Sequence, residues 1–101
     1  MYIVNTSFMV DPAMHQQWLD LIRKHYIPLI IERGYARPVF SRLITDSIPE
    51  HFTYSIQVEV PDIPAYNTLT QEIFSEYTEI AGPLFGDRVL WFTSLLKKED
   101  Y

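Results

Sequence analysis

Phe52-Thr53-Tyr54-Ser55-Ile56-Gln57-Val58-Glu59-Val60 decides the fold. Five apolar residues alternate with four polar ones. Period two, with β-branched and aromatic residues on one side, predicts a strand with one face buried and one face open. Working outward, Tyr2 to Val10 alternates in the same way. Tyr2, Val4, Thr6, Phe8 and Val10 share one side, and Ile3, Asn5, Ser7 and Met9 share the other. Pro38 to Thr45 predicts a further strand, joined to the central one by turn-forming residues from Asp46 to His51. Arg88 to Leu96 predicts a last, very apolar strand.

Two stretches carry the helical period. Asp11-Pro12 is an N-cap acid followed by proline at N1, a standard helix start. Met14, Trp18, Leu21, Ile22, His25 and Leu29 then follow at three- and four-residue spacing as one stripe. Pro28 lies inside that pattern and predicts a break near Tyr26-Ile27, with a short second piece from Pro28 to Arg33 and Gly34 as its stop. Asp62 predicts the cap of a second helix striped by Ile63, Tyr66, Leu69, Ile73, Tyr77 and Ile80. Ala81-Gly82-Pro83 is expected to end it. The order is βαββαβ, an α+β ferredoxin-like pattern with a four-stranded antiparallel sheet and both helices on one face.

Composition bounds the rest. The chain has 101 residues, enough for one domain. It has no cysteine, which removes disulfides, zinc–thiolate sites, iron–sulfur clusters and thiol nucleophiles. No run approaches the ~20 apolar residues of a spanning helix, and the start lacks a secretory pattern, so a cytoplasmic location is expected. Net charge is −5, and the eight basic residues are scattered. A basic stripe for phosphates is missing, which argues against nucleic acid. Aromatics make up 15%. That is a heavy load for so small a core and predicts an additional buried surface, either a subunit interface or a ligand pocket.

The chain resembles a family of short bacterial proteins known as a domain of unknown function. The resemblance covers nearly the whole chain. It is carried by Val4-Asn5-Thr6-Ser7, Val10-Asp11-Pro12, His15-Gln16-Gln17-Trp18-Leu19, His25-Tyr26-Ile27-Pro28, Gly34, Thr53-Tyr54-Ser55-Ile56-Gln57, Phe85-Gly86-Asp87-Arg88 and Phe92-Thr93-Ser94-Leu95-Leu96. Where the family has a Trp-Leu…His-Ile-Pro pattern, Tyr26 stands here between His25 and Ile27, which leaves the register after His25 open. The family is similar to the dimeric α+β-barrel superfamily, in which two ferredoxin-like subunits pair sheet to sheet. That superfamily includes cofactor-independent monooxygenases, haem-degrading enzymes and amino-acid-sensing regulatory domains. The resemblance implies a homodimer formed through the sheet face, and it implies activity only weakly.

Candidate chemistry is sparse. Histidine as a residue type exchanges protons near neutral pH, and His25 is the candidate proton shuttle or ligand donor. The local alternative is that it bonds free carbonyls beside Pro28. His15 and His51 are expected on the surface. The three histidines lack any metal-ligand spacing, so neither a metal nor another cofactor is implied, and only His25 is placed to hold a haem. No nucleophile elbow and no glycine-rich phosphate loop is present. Asn5 and Ser7 share one face, as do Thr53, Ser55 and Gln57. With Arg42 they are expected to line an inter-sheet cavity, while Trp18 and Phe92 are expected to supply an apolar wall for a substrate beside His25. Of Trp91 and Phe92, one must face the dimer side. Three functions fit: a small apolar or aromatic molecule bound in a pocket between sheet and helices, a monooxygenase-like enzyme using His25, or a purely structural or regulatory dimerisation module.

Overall fold

The structure is a computed structural model that describes residues 1–44 and 50–101. Thr45 of the expected second strand, and Asp46 to Pro49 of the expected turn, lie outside the described residues. Four strands form one antiparallel sheet in the order β2-β3-β1-β4. They are β1 (Tyr2–Val10), β2 (Val39–Arg42), β3 (Phe52–Val60) and β4 (Val89–Lys97). β1 is central and pairs along all nine residues with β3 on one side and β4 on the other. Helical segments link β1 to β2 and β3 to β4. Their apolar stripes share one core with the inward residues of the sheet. The chain is an α+β, ferredoxin-like domain.

Residues directly opposite one another in a ladder share a face. Val4, Thr6, Phe8 and Val10 are buried beneath the helices, as are Tyr54, Ile56, Val58 and Val60. Ile3, Asn5, Ser7 and Met9 therefore lie on the open side, opposite Glu59, Gln57, Ser55 and Thr53. On β4 the register sets Trp91 opposite Phe8 and Phe92 opposite Ser7. Trp91 is thus the inward aromatic and Phe92 the outward one.

The first helical stretch differs from the expected break. It is continuous: a 3₁₀ turn Pro12–Met14, helix α1 (His15–Leu21), a π turn Ile22–Tyr26 and helix α2 (Ile27–Glu32). Asp11 Oδ1 accepts from the Ala13 N–H at 2.8 Å and starts it. Pro28 has no N–H to give, which threatens an α-helical ladder. Here the Ile27 N–H bonds back to the Ile22 carbonyl, five residues away, so the turn is wound wider and Pro28 opens α2. The wider turn also takes up an additional residue. Trp18, Ile22, Tyr26 and Ile30 are all buried at four-residue spacing, which a regular helix of 3.6 residues per turn lets drift off one face. Tyr26 enters the core, and His25 is turned out to solvent. Gly34 ends the stretch at φ 89°.

Helix α3 (Ile63–Phe85) runs past the expected stop at Ala81-Gly82-Pro83. Asp62 caps it, with Oδ1 accepting from the Ala65 N–H at 2.8 Å. Its buried stripe is Leu69, Ile73, Tyr77, Ala81 and Phe85, whereas Ile63 and Ile80 are exposed. Burial of Phe85 carries the helix through Pro83, and Gly86, at φ 55°, supplies the turn out. Arg33 pairs with Glu72 and Glu76 and ties the end of α2 to α3.

The aromatic load goes inward. Phe8 stands 5.2 Å from Trp18, 5.4 Å from Tyr77 and 6.2 Å from Trp91, centroid to centroid. Tyr26 closes on Tyr77 at 5.1 Å, and Tyr54 on Trp18 at 5.0 Å. Only Phe92 among the aromatics of the described strands faces outward. Most of the load packs in the core of one subunit, and Phe92, 55% exposed, is left on the open face. These tilted and edge-on rings lie within the favourable range. Truncation of Phe8 to alanine is expected to cost about 3–5 kcal/mol in urea unfolding. Leu84→Ala, at a residue 59% exposed, is expected to stay within about 0.5 kcal/mol.

Candidate functional site

Two places combine polar side chains with defined geometry. The first is the open face of the sheet. Because side chains alternate, Asn5 and Ser7 of β1 and Thr53, Ser55 and Gln57 of β3 converge with Ser41 of β2 on a shallow hollow of about 320 Å³. The Ser55 hydroxyl donates to Asn5 Oδ1 at 2.6 Å. This bond spans the β1–β3 ladder at the centre of the sheet and leaves the Asn5 amide N–H₂ as a donor. Around the polar strip lie exposed apolar side chains. Val39 and Leu43 stand on the β2 side, and Leu90, Phe92 and Leu96 on the β4 side, each between 44% and 60% exposed. Monomers rarely leave such apolar groups together on one face.

The structure distributes the expected site residues between three environments. Asn5, Ser7, Ser55 and Gln57 come together at the hollow, and Phe92 stands on its β4 rim. Trp18 does not reach it. It is fully buried on the helix side of the sheet, where its indole N–H donates to the Tyr77 hydroxyl at 3.2 Å. Arg42 also borders the hollow, but it pairs with Tyr54 in the β2–β3 ladder and its guanidinium carbon lies 4.8 Å over the Phe52 ring. His25 is also displaced. The π turn aims it away from the sheet, into a surface groove of about 400 Å³ between the helices, beside Asp20, Lys24, Ile80 and Leu84. Aromatic rings fill the middle of the seam between sheet and helices, expected as a pocket, and a hollow of about 160 Å³ remains between α3 and β4, lined by Tyr77, Ala81, Phe85, Val89 and Trp91.

The second place is one where the sequence pattern predicts plain surface. His15, at the start of α1, lies flat on Phe52 with centroids 3.9 Å apart and an interplanar angle of 18°. Its Nε2 is 2.7 Å from the buried Tyr54 hydroxyl. Partial burial lowers the His15 pKa below 6.5, and the positive charges of Arg42 and Arg23 lower it further. The ring is therefore neutral near pH 7. Thirty-nine residues separate His15 from Tyr54, and no spacing rule joins them. The one available signal was that Tyr54 sits on the inward face, where a buried phenol needs a partner. Among the described residues no cluster of three metal-ligating side chains occurs.

The chain matches a family model described as Domain of unknown function (DUF4286) over residues 1–99. Two solved structures, both described as dimeric ferredoxin-like proteins from an uncultured marine organism, are similar in fold. One superposes with a TM-score of 0.68 at 14% identity, covering 99% of this chain and 97% of that one. The other superposes with a TM-score of 0.67 at 15% identity, covering 100% and 98%. No curated protein matches the chain.

His15 makes stability depend on pH with a definite sign. The unfolded ring takes up its proton near 6.5, and the folded ring only at lower pH. The stability it contributes is complete above 6.5 and is lost as pH falls through the folded value. Thermal melts of the wild type and His15→Gln are expected to converge on acidification below that point, the wild type losing more. Parallel profiles exclude this linkage.

Proposed function

Taking as premise that the chain belongs to the DUF4286 family, we propose that it works as a homodimer joined through the open sheet faces, with a small molecule held in the polar hollow between them. One observation carries this reading: a strip of uncharged hydrogen-bonding groups, Asn5, Ser7, Ser41, Thr53, Ser55 and Gln57, lies between two exposed apolar rims on one sheet face. Apposing two such faces removes the rims from water. The same contact encloses the polar strip, whose groups then need partners, because a buried unpaired donor or acceptor costs about 1–3 kcal/mol. Water or a ligand with matching donors and acceptors supplies them. The description of both similar structures as dimeric supports the assembly.

The ligand of this reading is small, and the groups that meet it are mainly neutral, with Arg42 at the edge of the hollow. Phe92 is the natural anchor of the contact, as an exposed aromatic on the rim. The monooxygenase-like alternative drew its base from His25. That ring lies in the groove between the helices and cannot touch a molecule in the sheet hollow, so the geometry favours binding. Localisation in the cytoplasm accords with the cysteine-free chain; no helix of the described residues is long and apolar enough to cross a membrane.

Light scattering after size exclusion at micromolar concentration is expected to give twice the 11.9 kDa mass for the wild type and the single mass for Phe92→Glu, with unchanged circular dichroism. A monomeric wild type overturns the dimer. Native mass spectrometry of protein taken from its own cells is expected to show a small molecule retained by the wild-type dimer. Asn5→Ala is expected to lose the molecule and keep the dimer. A dimer that carries nothing in either form overturns the ligand and leaves the assembly standing.

A further inference from the structure

The two edges of the sheet are finished differently. β2 has four residues and ends on Arg42. β4 has nine, Val89–Lys97, with no proline or glycine and no charge before Lys97. Its register against β1 is unbroken, so no bulge twists it away. Sheets blunt a free edge by shortness, charge, proline or a bulge, because unpaired N–H and C=O groups are a template for another strand. β4 uses none of these before its last residue.

The ladder fixes where those groups point. The Asp11 N–H donates to the Arg88 carbonyl at 2.9 Å, and the Lys98 N–H to the Met1 carbonyl at 3.0 Å. Even-numbered residues of β4 therefore turn their backbone groups toward β1. Val89, Trp91, Thr93 and Leu95 turn theirs outward, and among the described residues these have no backbone partner on that side.

We propose that the β4 edge is an interface for a second copy of this chain, with β4 pairing antiparallel to its counterpart about a two-fold axis at Phe92. The axis stands normal to the sheet, so inward side chains stay on one side and each residue meets one of the same parity. Phe92 then faces Phe92, Trp91 faces Thr93, Leu90 faces Ser94 and Val89 faces Leu95. The outward backbone groups bond to one another. The two Phe92 rings meet at a non-hydrogen-bonded position, where cross-strand side chains come closest.

Charge selects both the occupant and the register. Centred on Phe92, the pairing sets Asp87 opposite Lys97 at each end. Both are exposed, and neither has an ion-pair partner among the described residues. Centring on Thr93 would set Asp87 against Glu99 and Arg88 against Lys98, like against like. Centring on Trp91 shortens the ladder and carries Lys97 past Asp87. The edge thus holds both halves of its own complement, which a second copy supplies. This contact does not rest on the face-to-face dimer. It joins two four-stranded sheets edge to edge and leaves their open faces available.

The test is light scattering after size exclusion over rising chain concentration, with amide hydrogen exchange on the same samples. The wild-type mass is expected to double, from two chains to four, as the Trp91, Thr93 and Leu95 amides slow. Thr93→Pro removes an outward N–H and no bond to β1, and is expected to stay at two chains with unchanged circular dichroism. Asp87→Lys, which keeps every backbone donor, serves if the proline variant does not fold. It is expected to stay at two chains, and Lys97→Asp added to it restores four. Failure of the face-to-face contact reads differently: the wild type then rises from one chain to two, and Thr93→Pro stays at one. Three results overturn the edge proposal: outward amides whose exchange ignores concentration, a Thr93→Pro mass that doubles as the wild type does, or a charge swap that restores nothing.

Discussion

Everything in this domain depends on β1 being paired along its full length on both sides. Nine residues face nine on β3 and nine on β4. Side chains alternate with period two, so a slip of one residue in either ladder exchanges the whole inward set for the outward set. Val4, Thr6, Phe8 and Val10 would then face water, and Asn5 and Ser7 would enter the core. Burial of Phe8 under Trp18 and Tyr77 therefore also holds the Asn5–Ser55 pair on the open face. Core and candidate binding face are two consequences of one register.

The helix side meets a different constraint. Trp18, Ile22, Tyr26 and Ile30 must all reach the sheet, and Pro28 cannot continue an α-helical ladder. The π turn satisfies both requirements. It joins Ile27 N–H to the Ile22 carbonyl, so the missing proline donor falls at the start of α2, and it keeps four-residue spacing on one face. The cost of this solution falls on His25. It follows Lys24 onto the outer surface, away from any molecule on the sheet. A single wide turn thus separates the chain's most chemically suggestive residue by type from its most suggestive surface.

The two polar places differ in how they were legible. Asn5, Ser7, Thr53, Ser55 and Gln57 were readable because alternation is local and puts each set on one side. Arg42 borders the hollow while its guanidinium turns over Phe52; that turn depends on the pairing of Arg42 with Tyr54 across the β2–β3 ladder, and a four-residue strand offers too few alternations to read it by pattern. His15 and Tyr54 were missed as a pair because their contact needs the start of α1 to fold over the beginning of β3. Composition counts aromatic residues without placing them: the ladders and helix stripes set most of the rings in one core and leave Phe92 on the open face.

By itself, the amino-acid sequence determined the βαββαβ order, the bounds of β1 and β3, the caps at Asp11 and Asp62 and the polar character of the open face. These follow from periodicity and capping, which act over a few residues. Tertiary structure alone decided the π turn, the passage of α3 through Pro83, the outward turn of His25 and the stacking of His15 between Phe52 and the Tyr54 hydroxyl. Each of these is set by burial against a distant element, Tyr26 and Phe85 in the core and Tyr54 on the sheet. The free energy of that burial outweighs the local preference that a sequence pattern records.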